Sequence, residues 1–210
     1  MEEKYLRLAR EARAENNSED AKRYYDMVRT ENPDNGEAKF FYGLYSLYEG
    51  KNIEIAKRFA NLCNIVIPSV NKVVSSDLSN IEKLEVLNAI VDAFVPETWN
   101  LNRYMNKLTV GSGNDTQRVL SNNDIASVSN NGMKTCYALG DAIESKFEGD
   151  KDAMKAACKA WKEAISLQQK WYAYGTKGDP EKYTEKVKKY EPSYEMPKKA
   201  GCISFADKKN

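Results

Sequence analysis

Apolar side chains recur at spacings of three and four along most of the chain, and alternation with a period of two is sustained nowhere. Ala, Glu, Lys and Leu dominate most windows. This pattern predicts an all-α fold. Ile81, Leu84, Leu87, Val91 and Phe94 form one apolar stripe, preceded by Ser79 and Glu82 at the spacing of a capping box. Pro96 suits the first turn of a new helix, with Trp99, Leu101, Tyr104, Met105 and Leu108 on its buried side. "TVGSGNDTQ" then predicts a break. Beyond it, Ile125, Val128, Gly132, Cys136, Leu139, Ile143 and Phe147 predict a long helix with a weak start, ended by "EGD". Met154, Cys158, Trp161, Ile165, Gln168 and Tyr172 alternate spacings of four and three. That seam is too short for a coiled coil and predicts a helix packed along its predecessor. Asp179 is placed to cap a last helix that has Pro180 and Glu181 in its first turn and ends near Tyr190. Residues 191–210 have little periodicity and predict a flexible tail.

The first 69 residues carry an internal repeat. A shift of 34 positions brings Leu8 onto Tyr42, Ala9 onto Gly43, Ala21 onto Ile55, Tyr25 onto Phe59 and Val28 onto Leu62. Asn16 and Gly50 then both fall where a tight inter-helix turn is due, Pro33 closes the first unit, and Pro68 closes the second one residue late. Five of the nine residues from Phe40 to Tyr48 are aromatic, with Gly43 among them. A helix apolar around most of its circumference is a buried helix, and Gly43 predicts a point of close approach between helix backbones.

This spacing resembles the tetratricopeptide repeat, a helix–turn–helix unit of about 34 residues. The first copy reads Tyr5-x2-Leu8-Ala9, then Ala21-x3-Tyr25, then Pro33; the second reads Tyr42-Gly43, then Ile55-x3-Phe59, then Pro68. Ala12 and Ser46 depart from it, standing where the family usually has an aromatic residue, and Lys39 stands where a large apolar one is usual. The resemblance implies a right-handed α-α superhelix of helical hairpins. Residues 2–69 would form two repeats, 70–190 a helical extension packed on them, and 191–210 the tail. In such repeats the first helices line a concave surface that holds peptides. On this register that surface carries Glu3, Leu6, Arg10, Arg13, Glu37, Phe40, Leu44 and Leu47, with Tyr48 beside them. A protein or peptide partner would be recognised through Arg10, Arg13, Phe40, Leu44 and Tyr48, the arginines pairing with a carboxylate. The family's carboxylate clamp is not reproduced, because Leu6 and Leu44 stand where lysine and asparagine are expected. The alternative is that the chain's own later helices fill the groove, since two repeats need covering.

Composition narrows the chemistry. The 210 residues contain no histidine, which removes Ser–His and Cys–His nucleophilic catalysis and histidine-based zinc sites. Cys63, Cys136, Cys158 and Cys202 lie far apart, with no CxxC pair. Neither a metal nor a cofactor is expected, and the sequence reads as a non-enzyme. The N-terminus has no apolar signal core and no stretch is long enough to span a membrane, which predicts a cytoplasmic chain with reduced thiols. The tail segment "KKYEPSY…PKKAGC" distantly resembles the end of some bacterial repeat-like proteins, which leans the source towards bacteria. Two other functions remain in view. One is a homodimer paired through 154–172. The other is nucleic-acid association through Lys182, Lys186, Lys188, Lys189 and Lys198, which a net charge of +1 does not favour.

Overall fold

The structure, a computed structural model, describes residues 1–51, 54–110, 122–170 and 178–199. Among them the protein is all-α: α1 (Glu2–Ala14), α2 (Ser18–Glu31), α3 (Gly36–Tyr45), α4 (Ile55–Ser75), α5 (Asn80–Val110), α6 (Asn122–Phe147), α7 (Lys151–Lys170) and α8 (Pro180–Tyr190). Most of the expected break at 109–117, together with Tyr172 and Cys202, lies outside the described residues, as does the side chain of Leu108.

Local chemistry explains most helix starts. Asn17 Oδ1 accepts from the Asp20 amide to open α2, and Asn35 Oδ1 accepts from the Ala38 amide to open α3. Ahead of α5, Glu82 accepts from the backbone and hydroxyl of Ser79, whose hydroxyl accepts from the Glu82 amide. Asp179 caps α8 through the Lys182 amide. The turns are equally local. Asn16 (φ 58°) and Gly50 (φ 84°) both hold the left-handed conformation, between α1 and α2 and between α3 and α4. Gly149, in "EGD", does the same after α6.

Two expected breaks are absent. Pro68 lies inside α4 and Pro96 inside α5, so neither ends or begins a helix, and the anticipated boundary at 69/70 falls within α4. Each proline removes a hydrogen bond to the carbonyl four residues earlier. Those carbonyls belong to Asn64 and Asp92, both on exposed positions where water can replace the lost donor. On the opposite faces Val66 and Val70, and Phe94 and Leu101, are buried and hold both halves of each helix in place.

Consecutive helices mostly pack antiparallel. Asn32, at the end of α2, returns to hydrogen-bond Glu2 at the start of α1 (2.9 Å). The start of α3 meets the end of α4 so closely that a Cβ on Gly36 would overlap the Ser69 carbonyl oxygen. Gly43 faces the same helix, but its neighbours are the side chains of Ile65 and Leu62. The backbone contact expected at Gly43 is made instead by Gly36. Further along, Thr98 of α5 and Phe59 of α4 both meet Gly132 of α6. The rings of Phe59 and Phe94 stack at 6.0 Å. One continuous apolar core runs from α1 to α8.

The seam on α7 faces inward. Met154, Cys158, Trp161 and Ile165 are buried in that core, which leaves them unavailable for pairing between copies. Residues 192–199 are non-helical, and Tyr194 and Met196 pack against the core, so this part of the expected tail is docked.

Candidate functional site

The residues singled out for recognition do not form one open surface. Arg10 forks onto Glu37: its Nε lies 3.0 and 3.1 Å from the two carboxylate oxygens and its Nη2 2.5 Å from Oε2. Arg13 Nη1 reaches Glu37 Oε1 at 3.4 Å and donates to the Tyr25 hydroxyl at 3.1 Å, and that hydroxyl donates to Glu37 Oε1 at 3.0 Å. The guanidinium of Arg13 also sits 4.3 Å above the Phe41 ring. Glu37 is only 3% exposed, so its charge must be met from within the fold. Its hydrogen bond to Arg10 holds that guanidinium above its ordinary pKa, against the opposing effect of burial. Desolvation, followed by the neighbouring carboxylate, pushes the Tyr25 phenol upward. The arginines expected to clamp a partner's carboxylate thus already hold one of the chain's own.

Phe40 is fully buried, and Leu44 is half-buried against the core. Tyr48 is about half exposed, with its hydroxyl donating to Glu97 of α5. Burial, then the bond to Glu97, raises the Tyr48 phenol. The chain's own α5 therefore covers the far end of the anticipated surface. Of the five residues, Arg10 alone lines a remaining groove.

Two grooves stay open on the N-terminal hairpins. The first, about 870 Å³, lies between α1, the start of α3, the end of α4 and α5; Leu6, Leu78 and Val86 contribute apolar wall. Lys72 and Asp34 pair across its rim. The second, about 640 Å³, lies between α2, α3 and α4. Arg29, Lys39 and Arg58 stand on it beside Tyr42, Leu62 and Ile65, and among the described residues no carboxylate lines it. The register had assigned none of these to a site. One signal was present in Lys39, a lysine standing where the resembled repeat is apolar.

Of the C-terminal lysines, Lys186, Lys188 and Lys189 are engaged as well. Lys186 Nζ lies 2.8 Å from Asp141 and 2.6 Å from Glu144, Lys189 faces Glu148 at 3.3 Å, and Lys188 faces Glu185 at 3.6 Å. Burial lowers the Lys186 pKa, but the hydrogen bonds to the two acids outweigh it and the net shift is upward. Acids thus offset the charge of Lys186, Lys188 and Lys189, which weakens the attraction of this face for phosphates.

Elsewhere the chemistry is quiet. Cys63, Cys136 and Cys158 are free, buried thiols. Burial pushes Cys63 up to about 12 and Cys158 to about 11, and lifts Cys136 well above the ordinary thiol value, so all three stay protonated. Glu163 is lifted by desolvation to about 7, and its buried Oε1 accepts no hydrogen bond among the described residues. Among the described residues no three His, Cys, Asp or Glu side chains gather as a metal site, and no helix is long and apolar enough to cross a membrane. Compared with protein-family models, curated proteins and solved structures, the chain matches none.

Proposed function

We propose that the protein is a non-catalytic adaptor, with the groove between α1, α3 and α5 receiving a peptide segment of a protein partner. In the tetratricopeptide-like reading, this groove is the concave side of a right-handed array of hairpins. The carrying observation is its lining, which combines the apolar Leu6, Leu78 and Val86 with an excess of carboxylates. Glu2, Glu3, Asp34, Glu37 and Asp77 stand on its wall against Arg10 and Lys72. Glu37 is committed to the arginines, Asp34 to Lys72 and Glu2 to the side-chain amides of Asn32 and Asn35, which leaves Glu3 and Asp77 exposed to solvent. The segment that fits carries lysine or arginine next to an apolar side chain. This replaces a partner carboxylate held by Arg10 and Arg13.

Fluorescence anisotropy tests the reading with a labelled peptide of about ten residues containing Lys, Arg and Leu. The double variant Glu3→Lys, Asp77→Lys reverses two exposed charges away from the core and should bind about tenfold more weakly, with an unchanged melting temperature. Equal affinity for the variant, or no affinity in the native chain, would sink the proposal.

A further inference from the structure

The second groove lies on a different side of the same hairpins and has the opposite charge character. It is lined by Arg29, Lys39 and Arg58 and, among the described residues, by no carboxylate. Two of these cations are positioned by neighbouring groups. The guanidinium of Arg29 lies 3.9 Å over the Tyr42 ring and pairs with Asp26 at 2.6 Å. Arg58 donates to the backbone carbonyls of Leu47 (2.8 Å) and Lys51 (3.0 Å), which ties it to the turn between α3 and α4, and its Nη1 lies 3.6 Å from Glu54, an exposed carboxylate outside the groove lining. Among the described residues the Lys39 side chain makes no hydrogen bond or salt bridge, while its amide donates to the Asn35 carbonyl at the start of α3. It acts electrostatically on Asp34, a carboxylate that Lys72 already holds.

The floor between these charges is apolar, and its shape follows from Gly43. Without a side chain there, Ile65 Cδ1 lies down against α3. Ile65 and Leu62 then line the groove below the cations. Arg29 and Arg58, already held beside an apolar floor, lose little freedom on binding, and Lys39 brings a charge that no acid pairs with among the described residues, which together favour a ligand with matching charge.

We infer that this groove is a docking site for a short acidic peptide segment of another protein, its carboxylates facing Lys39, Arg29 and Arg58 and an apolar side chain resting on Leu62 and Ile65. Charge complementarity selects the acidic peptide. A nucleic acid would need an aromatic face for base stacking. The Tyr42 ring instead carries Arg29 and, at 5.0 Å, Lys22. The site shares no lining residue with the first groove, so either can fail without the other.

The test is anisotropy with a fluorescein-labelled peptide of about ten residues containing Asp, Glu, Leu and Phe, beside its Asn/Gln counterpart. The acidic peptide should bind, the amide peptide should bind at least about tenfold more weakly, and added salt should weaken the acidic complex. Lys39→Glu should cost about tenfold or more, while Lys4→Glu, an exposed change on α1, should cost nothing. A basic peptide held by the first groove should not be displaced. Equal binding of the amide peptide, or an unchanged affinity in Lys39→Glu with the fold intact by circular dichroism, overturns the inference. So does equal competition by a single-stranded oligonucleotide. Sedimentation that shows the chain associating with itself, with Lys39→Glu abolishing that association, assigns the groove to a second copy and overturns it too.

Discussion

Arg10 and Glu37, 27 residues apart, are joined by a forked ion pair in which the carboxylate is buried and the guanidinium reaches the surface. This pair ties α1 to the start of α3, and Arg13 and Tyr25 bring α2 into the same network. Removing one partner of a buried pair costs far more than the pair contributes net, because the other charge is stranded. Glu37→Ala should therefore destabilise the protein by about 3 kcal/mol, the lower end of that range because Arg10 can turn towards water. Reversing Arg10 and Arg13 to glutamate should be worse, since it gathers three carboxylates, and is better read as a stability experiment than as a binding one. Urea denaturation midpoints check both, and a midpoint unchanged in Glu37→Ala would show the network to be dispensable.

The helical glycines should differ in what they tolerate. A Cβ on Gly140 would lie 2.6 Å from Trp161 Cδ1 and 2.8 Å from Cε2, and Trp161 is fully buried. Gly140→Ala should cost about 1–3 kcal/mol through overpacking, with a change in tryptophan emission. At Gly43 the obstructing atom is the tip of Ile65, which borders an open groove and can rotate. The gain of about 1 kcal/mol in helix propensity should nearly offset that displacement. Gly36→Ala should be the most damaging of the three, because a carbonyl oxygen cannot move aside as a side chain can. Thermal melts of the three variants that depart from this order would contradict the packing described.

What could be read from the chain in advance was what depends on neighbours in sequence. Ser79 with Glu82, Asp179, Asn16 and Gly50 act through bonds and torsions within a few residues, and each takes the role its local pattern indicates. Pro68 and Pro96 were misleading because their effect depends on which face they occupy. Only the tertiary structure shows that Asn64 and Asp92, the residues losing a donor, face water. The repeat register puts Arg10, Arg13 and Glu37 on one surface without pairing them, and only burial decides that the carboxylate belongs to the arginines. Arg29 and Arg58 were invisible as a pair because they come from different helices and meet only across α3.

The two left-handed turn residues should respond oppositely to substitution. At Asn16 a glycine removes the strain of a positive φ, so Asn16→Gly should be neutral or slightly stabilising. At Gly50 any Cβ adds that strain, and Gly50→Ala should cost about 1 kcal/mol. The Ala side chain would meet only Arg58 Nη1 at 3.5 Å, so a larger loss would point to a cause other than torsion. Chemical denaturation of both single variants decides the sign.

Glu163 makes stability depend on pH in an unusual direction. Desolvation raises its folded-state pKa from 4.5 to about 7, with no compensating partner for the buried Oε1 among the described residues. Between those values the folded state holds a proton that the unfolded state releases, so this group's contribution falls as pH rises from about 4.5 to about 7 and stays low above that. Glu163→Gln keeps the shape and removes the titration. At about pH 8 the variant should be more stable than the native protein, by up to about 3 kcal/mol at roughly 1.4 kcal/mol per pKa unit, and near pH 4.5 the two should converge. Urea midpoints across that range measure the difference. A gap that fails to open with rising pH would mean that the carboxylate finds water or a donor in solution.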